Sequence, residues 1–249
     1  MSRIITIHSF RGGTGKSNIT ANIAALLAEK GQRVGVVDTD VQSPGIHILF
    51  GLAGHDIEHS LNDYLEGTCG IQDSAREVLN GQLPGKIYLI PASTQVDDIV
   101  RVLREGYDIR MLTTAMHELI NALQLDTLLI DTHPGLNEET LFALAISSTI
   151  LLVMRPDKQD YEGTAVTLDV ARSLEVPRLL LVVNKAPPDL QADALKAQFA
   201  ESYGCPVAGV LPHSSDMMAL ASDGIFALRY PDHALTSQLR EVTHEVAGA

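Results

Sequence analysis

The apolar run Arg3-Ile4-Ile5-Thr6-Ile7 leads through Arg11-Gly12-Gly13-Thr14-Gly15-Lys16-Ser17 into Asn18 to Lys30, where Ile19, Ile23, Leu26 and Leu27 recur at helical spacing. The run before the glycines predicts a buried strand, and the recurrence after them predicts a helix with one apolar face. The loop therefore joins strand to helix. Strands are predicted at 3–8, 33–38, 87–91, 126–131, 149–154, 178–183 and 206–210, with helical segments between them. Runs as uniformly apolar as Leu179 to Val183 suit a parallel sheet covered on both faces. The expected fold is a doubly wound, mostly parallel sheet of about seven or eight strands with helices on both faces. With 249 residues, 45% of them hydrophobic, and a mean hydropathy of +0.11, the chain can bury one large core. A single domain over 1–249 is expected, with no linker, repeat or low-complexity tract. The more polar stretch from Gly51 to Gly85 is expected to hold short helices.

The glycine loop has its own chemistry. Gly12, Gly13 and Gly15 permit positive φ and close backbone approach, so successive N–H groups can ring a phosphate at the positive end of the following helix. Lys16 would bring a point charge to the β and γ oxygens, and Ser17 a hydroxyl to Mg²⁺. The usual phosphate-loop pattern asks for four residues between Gly and Gly-Lys-Ser/Thr, whereas only two separate Gly12 from Gly15. Phe10 and Arg11 must therefore stand in the loop's first half.

Two other predicted strands end in carboxylates. Arg33 to Val37 runs into Asp38-Thr39-Asp40, where strand alternation would point both acids to one side of the chain. One can hold a Mg²⁺ water while the other orients an attacking water. Leu125 to Ile130 runs into Asp131, followed by the chain-reversing Thr132-His133-Pro134-Gly135, which suits the sensing of a γ-phosphate.

The Arg11-to-Ser17 loop, Asp38-Thr-Asp40, the Asp131-Thr-His-Pro-Gly turn and Asn184-Lys185 after a strand resemble the deviant Walker A ATPases of the MinD/ParA family over nearly the whole chain. The resemblance implies ATP bound by Arg11 to Asn18, with Thr14 and Asn18 completing the loop. It places Asp38 and Asp40 in switch I, with Asp40 orienting water, and makes Asp131 the Walker B acid. Ser17, Asp38 and Asp131 are thereby the Mg²⁺ residues. Asn184 matches the family's adenine-contacting Asn, and Leu211-Pro212-His213 the loop that closes over the base. It also implies an ATP-sandwiched homodimer, slow hydrolysis and an activating adaptor protein.

At Arg11 the family usually has Lys, which reaches across the dimer to the partner's phosphates. Arginine keeps the charge but is longer and planar, and is not interchangeable with Lys at a tight site. Three readings stand: Arg11 substitutes directly, it yields the role to Lys158 near the dimer face, or it lies along the sheet edge.

Composition narrows the partners. A net charge of −13 does not suggest an overall nucleic-acid footprint. ParA-like members bind DNA nonspecifically through local basic residues; here Arg178, Lys196, Arg229 and Arg240 are either that patch or ordinary surface charges. The tail from Leu235 to Ala249 lacks the basic amphipathic face of a membrane-binding helix, so direct membrane binding is not expected. Leu141 to Met154 is too short to span a bilayer, and the chain opens on a core strand; a cytoplasmic, nucleoid-associated or free protein is expected. Cys69 and Cys205 stand alone, which argues against a disulfide framework, a metal cluster and the cysteine-dependent branches of the family.

Weaker signals remain open. His55 and His59 are spaced for one helix face but have no third ligand. His133 either touches a phosphate or switch residue, or packs. Met217 and Met218 offer a partner surface or fill core gaps. The expectation drawn from these readings is a dimerising ATPase that positions a plasmid, chromosome, protein organelle or receptor cluster. The alternatives are a nucleotide-gated regulator acting by protein contact, and a metabolic P-loop ligase.

Overall fold

The computed structural model describes residues 2–187 and 191–248. Among the described residues eight strands form one sheet: β1 Arg3–His8, β2 Arg33–Asp38, β3 Arg76–Val78, β4 Lys86–Ile90, β5 Thr127–Asp131, β6 Thr149–Met154, β7 Leu179–Ala186 and β8 Val207–Pro212. Their order is β3-β4-β2-β5-β1-β6-β7-β8, and every pairing is parallel except β3 with β4. The expected parallel sheet is present. The antiparallel edge strand β3 lies in the stretch expected to hold only short helices.

The side-chain alternation of each strand divides the core between the two faces. Ile5, Ile7, Leu129, Leu151, Val153, Leu180 and Val182 join one apolar cluster with helix α1, Lys16–Glu29, and the C-terminal helix Ala234–Ala247. Ile4, Leu128 and Ile130 face the other way, against helix Arg110–Leu123. Ile150, Leu152, Met154, Leu181 and Val183 do the same against helices Lys158–Ser173 and Ala192–Tyr203. Because successive strand residues point to opposite faces, uninterrupted apolar runs fill both layers at once.

Helix α1 is buried on almost every side, not on one face. From Ile19 to Ala28 every residue is buried, and Ala21, Ile23, Ala24, Ala25 and Ala28 are fully inaccessible. It is enclosed between the sheet and the last two helices, and a helix so placed must be apolar all round. Asn22 is the polar exception: its Oδ1 accepts from Ala227 N at 2.8 Å, which ties α1 to helix Phe226–Arg229.

The parallel strands all end at the same edge of the sheet. β1 ends at His8, β2 at Asp38 and β5 at Asp131, with Asp38 and Asp131 directly in register. Adjacent parallel strands therefore bring together acids that stand 93 positions apart in the chain. Such carboxyl-edge crevices are where open α/β sheets bind ligands.

Candidate functional site

The loop from His8 to Lys16 turns back over the sheet with Gly13 at φ 76° and Gly15 at φ 92°, conformations that a side chain would strain. A Cβ on Gly15 would also lie 2.5 Å from Asn184 Nδ2. Gly12 does not use the left-handed region open to it. Gly15 starts α1 with no side-chain cap, so the first amides of the helix face the loop's cavity unpaired by a capping group.

Below the loop lies a compact charged cluster. Lys16 Nζ is 2.9 Å from Asp131 Oδ1, and both side chains are almost fully buried. Asp131 also accepts from Ser17 Oγ at 2.7 Å and from Thr20 Oγ1 at 2.8 Å. Thr20, which the motifs did not single out, is the residue one turn after Lys16 and so faces the same carboxylate. Asp38 is 1% exposed and accepts from the backbone N of Asp40 at 3.0 Å. Burial first, and the neighbouring Asp131 second, push the Asp38 carboxyl well above the usual carboxylate range, with Lys16 opposing them. Two buried carboxyls beside a serine hydroxyl form a hard-oxygen donor set, and that set fits Mg²⁺, whose other ligands are phosphate and water. Among the described residues no group of three His, Cys, Asp or Glu is placed to hold a metal by itself, which includes His55 and His59.

Asp40 does not share the environment of Asp38. β2 ends at Asp38, so the alternation expected to carry both acids to one side no longer applies two residues later. Asp40 instead sits in a turn, where its Oδ1 accepts from Ser43 N at 3.0 Å and from His133 Nδ1 at 2.7 Å. The two loops are also joined through the main chain, because Thr39 N donates to Asp131 O at 2.9 Å. The glycine loop, Ser17, Asn18, Asp40 and His133 line a cavity of about 390 Å³.

A second cavity of about 380 Å³ adjoins it at Gly15 and Asn18, and is walled by Asn184, Leu211, Pro212 and His213. Here the structure brings together the residues expected to close over a base. Asn184 lies within β7, beyond a register irregularity, and its Nδ2 donates to Thr14 O at 2.7 Å. Lys185 adopts φ 58° and its Nζ donates to Gly13 O at 2.8 Å, so two consecutive residues brace the loop. No local sequence signal marks Lys185 for this; only the irregular end of β7 aims it. Met217 and Met218 line the same cavity, rather than a separate surface or the core alone.

The two cations weighed for a role between subunits lie outside both cavities. Arg11 has a half-exposed side chain, with Nε 4.0 Å from Asp160 Oδ1. Asp160 is already held by Arg155 through its backbone N at 2.8 Å and its guanidinium at 3.0 Å. Lys158 begins helix Lys158–Ser173, is exposed, and forms no ion pair with another described residue. Phe10 packs over Gly163 of that helix, where a Cβ would come within 2.0 Å of its ring. Arg11 and Lys158 therefore flank one surface beside the glycine-loop cavity.

At the far edge, Arg178 is 3.9 Å from Glu245 and Arg240 is 3.7 Å from Glu29, while Arg229 and Lys196 are exposed. Leu235, Leu239, Val242 and Val246 of the last helix are buried against the core. Among the described residues no helix is long and apolar enough to cross a membrane.

The chain is similar to known proteins over nearly its whole length. An uncharacterized ATP-binding protein of Methanocaldococcus jannaschii is 28% identical over 250 residues, covering 100% of this chain and 89% of that protein. The septum site-determining protein MinD of Pyrococcus horikoshii, solved in complex with Mg-ADP, superposes with a TM-score of 0.82 over 99% of this chain and 96% of its own, at 24% identity. A ParA family ATPase from Chlorobium tepidum gives 0.78 over 98% and 99%, at 19% identity. At those identities the two solved structures establish the fold alone. A family model described as an AAA domain matches residues 2–176, and with the glycine loop, the paired acids and the cavity beside Asn184 in place, the chain belongs to the MinD/ParA family of P-loop ATPases.

Proposed function

We propose that this protein binds ATP with Mg²⁺, dimerises around it, and hydrolyses it slowly to reset an intracellular positioning cycle. The observation that carries the reading is the meeting of Lys16, Ser17, Asp38 and Asp131 under the glycine loop, with Asp40 in the wall of the same cavity. In this reading the amides of Gly12 to Ser17 bind the phosphates, and Lys16 leaves Asp131 for the β and γ oxygens. Ser17, Asp38 and Asp131 would hold Mg²⁺, which would neutralise charge on the phosphates. Asp40 orients a water in line with the γ-phosphorus. Arg11 or Lys158 reaches the partner's phosphates from the surface they flank, so dimerisation completes the site. An adaptor protein accelerates turnover, and the protein is cytoplasmic.

What is gated by the dimer has two readings. The first is nonspecific DNA binding, with nucleoid association, during positioning of a plasmid, chromosome or protein cluster. The second is regulation by a protein contact. The ion pairs of Arg178 with Glu245 and of Arg240 with Glu29 favour the second, because they leave only Arg229 and Lys196 of the four basic candidates without a carboxylate partner among the described residues. Size-exclusion and DNA-retention measurements on the protein and on Asp40→Ala, with ATP and with ADP, test both. An ATP-dependent dimer is expected for each, longer-lived in Asp40→Ala. A monomer under ATP in both would remove the sandwich mechanism, and DNA retained only with ATP would favour the first reading.

A further inference from the structure

We propose that His133 is a positioning residue that fixes the orientation of the Asp40 carboxylate, a role resting on the hydrolytic reading above. His133 Nδ1 lies 2.7 Å from Asp40 Oδ1, and both side chains are largely shielded, at 25% and 14% exposed. A carboxylate oxygen only accepts, so Nδ1 carries the hydrogen and donates it. Oδ1 also accepts from Ser43 N at 3.0 Å. Two donors on one oxygen settle the plane of the carboxylate and leave Oδ2, which accepts from no other described residue, as the oxygen open to a water.

The ring is itself carried on a fixed support. It belongs to the turn after β5, where Gly135 N donates to Ser9 O at 3.1 Å and Thr132 Oγ1 donates to Ile7 O at 3.2 Å. Asp40 stands in a turn past the end of β2, whose main chain is tied by Thr39 N to Asp131 O at 2.9 Å and by Asp40 N to Asp38 Oδ1 at 3.0 Å, which leaves its side chain to be set by Ser43 and His133. A side chain from the turn after β5 thus fixes the carboxylate of one from the turn after β2, and both line the glycine-loop cavity. Orientation is the property at stake, because a displacement of about 1 Å at a reacting group can cost about a hundredfold in rate. His133 keeps its Nδ1 hydrogen throughout. Water oxygen bonds to the γ-phosphorus, the bond to the β–γ bridging oxygen breaks, and the water proton goes to Asp40 or to phosphate.

The test compares His133→Ala with His133→Asn, whose side-chain amide nitrogen can take the place of Nδ1. Turnover, ATP affinity by titration of a fluorescent analogue, and thermal midpoint are measured for each. His133→Ala is expected to lose about ten- to a hundredfold in kcat with nucleotide affinity within about twofold, and His133→Asn to regain most of the loss. Unchanged kcat in His133→Ala, or affinity and thermal midpoint falling with kcat, would overturn the proposal. Asn as slow as Ala would also overturn it, by pointing to Nε2. Long-range ¹H–¹⁵N spectra of the ring give a readout free of turnover. An Nδ1–H tautomer is expected in the unmodified protein and its loss in Asp40→Ala. An Nε2–H tautomer in the unmodified protein rejects the proposal even if ATP is hydrolysed, whereas the expected tautomer without any hydrolysis rejects only the hydrolytic reading.

Discussion

Lys16 and Arg11 stand five positions apart in one loop, and each faces an aspartate from another part of the chain. Lys16 is 7% exposed and meets Asp131 at 2.9 Å; Arg11 is 46% exposed and reaches Asp160 only to 4.0 Å. The difference lies in what each aspartate already has. Asp131 is buried beside a second acid, so the cluster needs the lysine's charge where water cannot supply compensation. Asp160 is satisfied by Arg155, and the Arg155 contacts, with Arg11 a smaller contributor, hold its carboxyl below the usual range against its burial. The same pairing of residue types therefore gives one cation committed to its own site and one still free to engage something else.

Replacing the committed cation should have the largest effect. Lys16→Met is expected to reduce ATP turnover by about 10²–10³, and to destabilise the nucleotide-free protein by about 3 kcal/mol in denaturant unfolding, since two acids then share a dry site. An unchanged unfolding free energy would break the contrast at its buried end. Next comes the support of the loop's outer half. Gly163→Val is expected to cost about 2 kcal/mol, because its side chain must occupy the space of the Phe10 ring. Adding Phe10→Ala should recover part of that loss in the thermal midpoint; simple additivity would show that the two do not pack.

A further effect, spread over several pH units, concerns acid stability. His8 is fully buried beside Lys16, and burial, followed by the Lys16 and His133 charges, holds its pKa down at about 3 against an ordinary value of 6.5. The folded chain thus binds fewer protons than the unfolded chain between these values. The contribution is complete above pH 6.5 and is lost as pH falls toward about 3, by at most about 1.4 kcal/mol per unit. His8→Gln should flatten the acid limb of a stability–pH profile by that slope. The smallest effect on stability belongs to the free cation: Arg11→Ala should change unfolding free energy by less than about 1 kcal/mol and leave ATP affinity within about twofold. If Arg11 acts across the dimer, it alone should weaken ATP-dependent association, with Lys158→Ala behaving normally. The reverse pattern would assign the role to Lys158.

The phosphate end of this site was legible because each element announces itself locally. An apolar run, three glycines and a helical period mark the loop, and Asp38 and Asp131 follow directly on apolar strands. β3 was missed for the opposite reason: three residues, one of them exposed, at a sheet edge carry no periodicity. Strand alternation was the wrong ground for placing Asp40, because β2 ends at Asp38 and a turn sets the Asp40 side chain. Thr20 and Lys185 depend on partners many residues away, so nothing beside them in the sequence signals their role, whereas contact with a switch residue was one of the readings open for His133 and the Asp40–His133 bond selects it.

By itself the sequence determined the layered fold, the nucleotide loop and the two acids that face it, since strand and helix periodicity and glycine's backbone freedom are properties of short segments. Only the tertiary structure decided which cation is spoken for. Lys16 and Arg11 carry the same charge in one loop, and their difference arises from burial and from the prior partners of Asp131 and Asp160, which chain folding alone brings within reach.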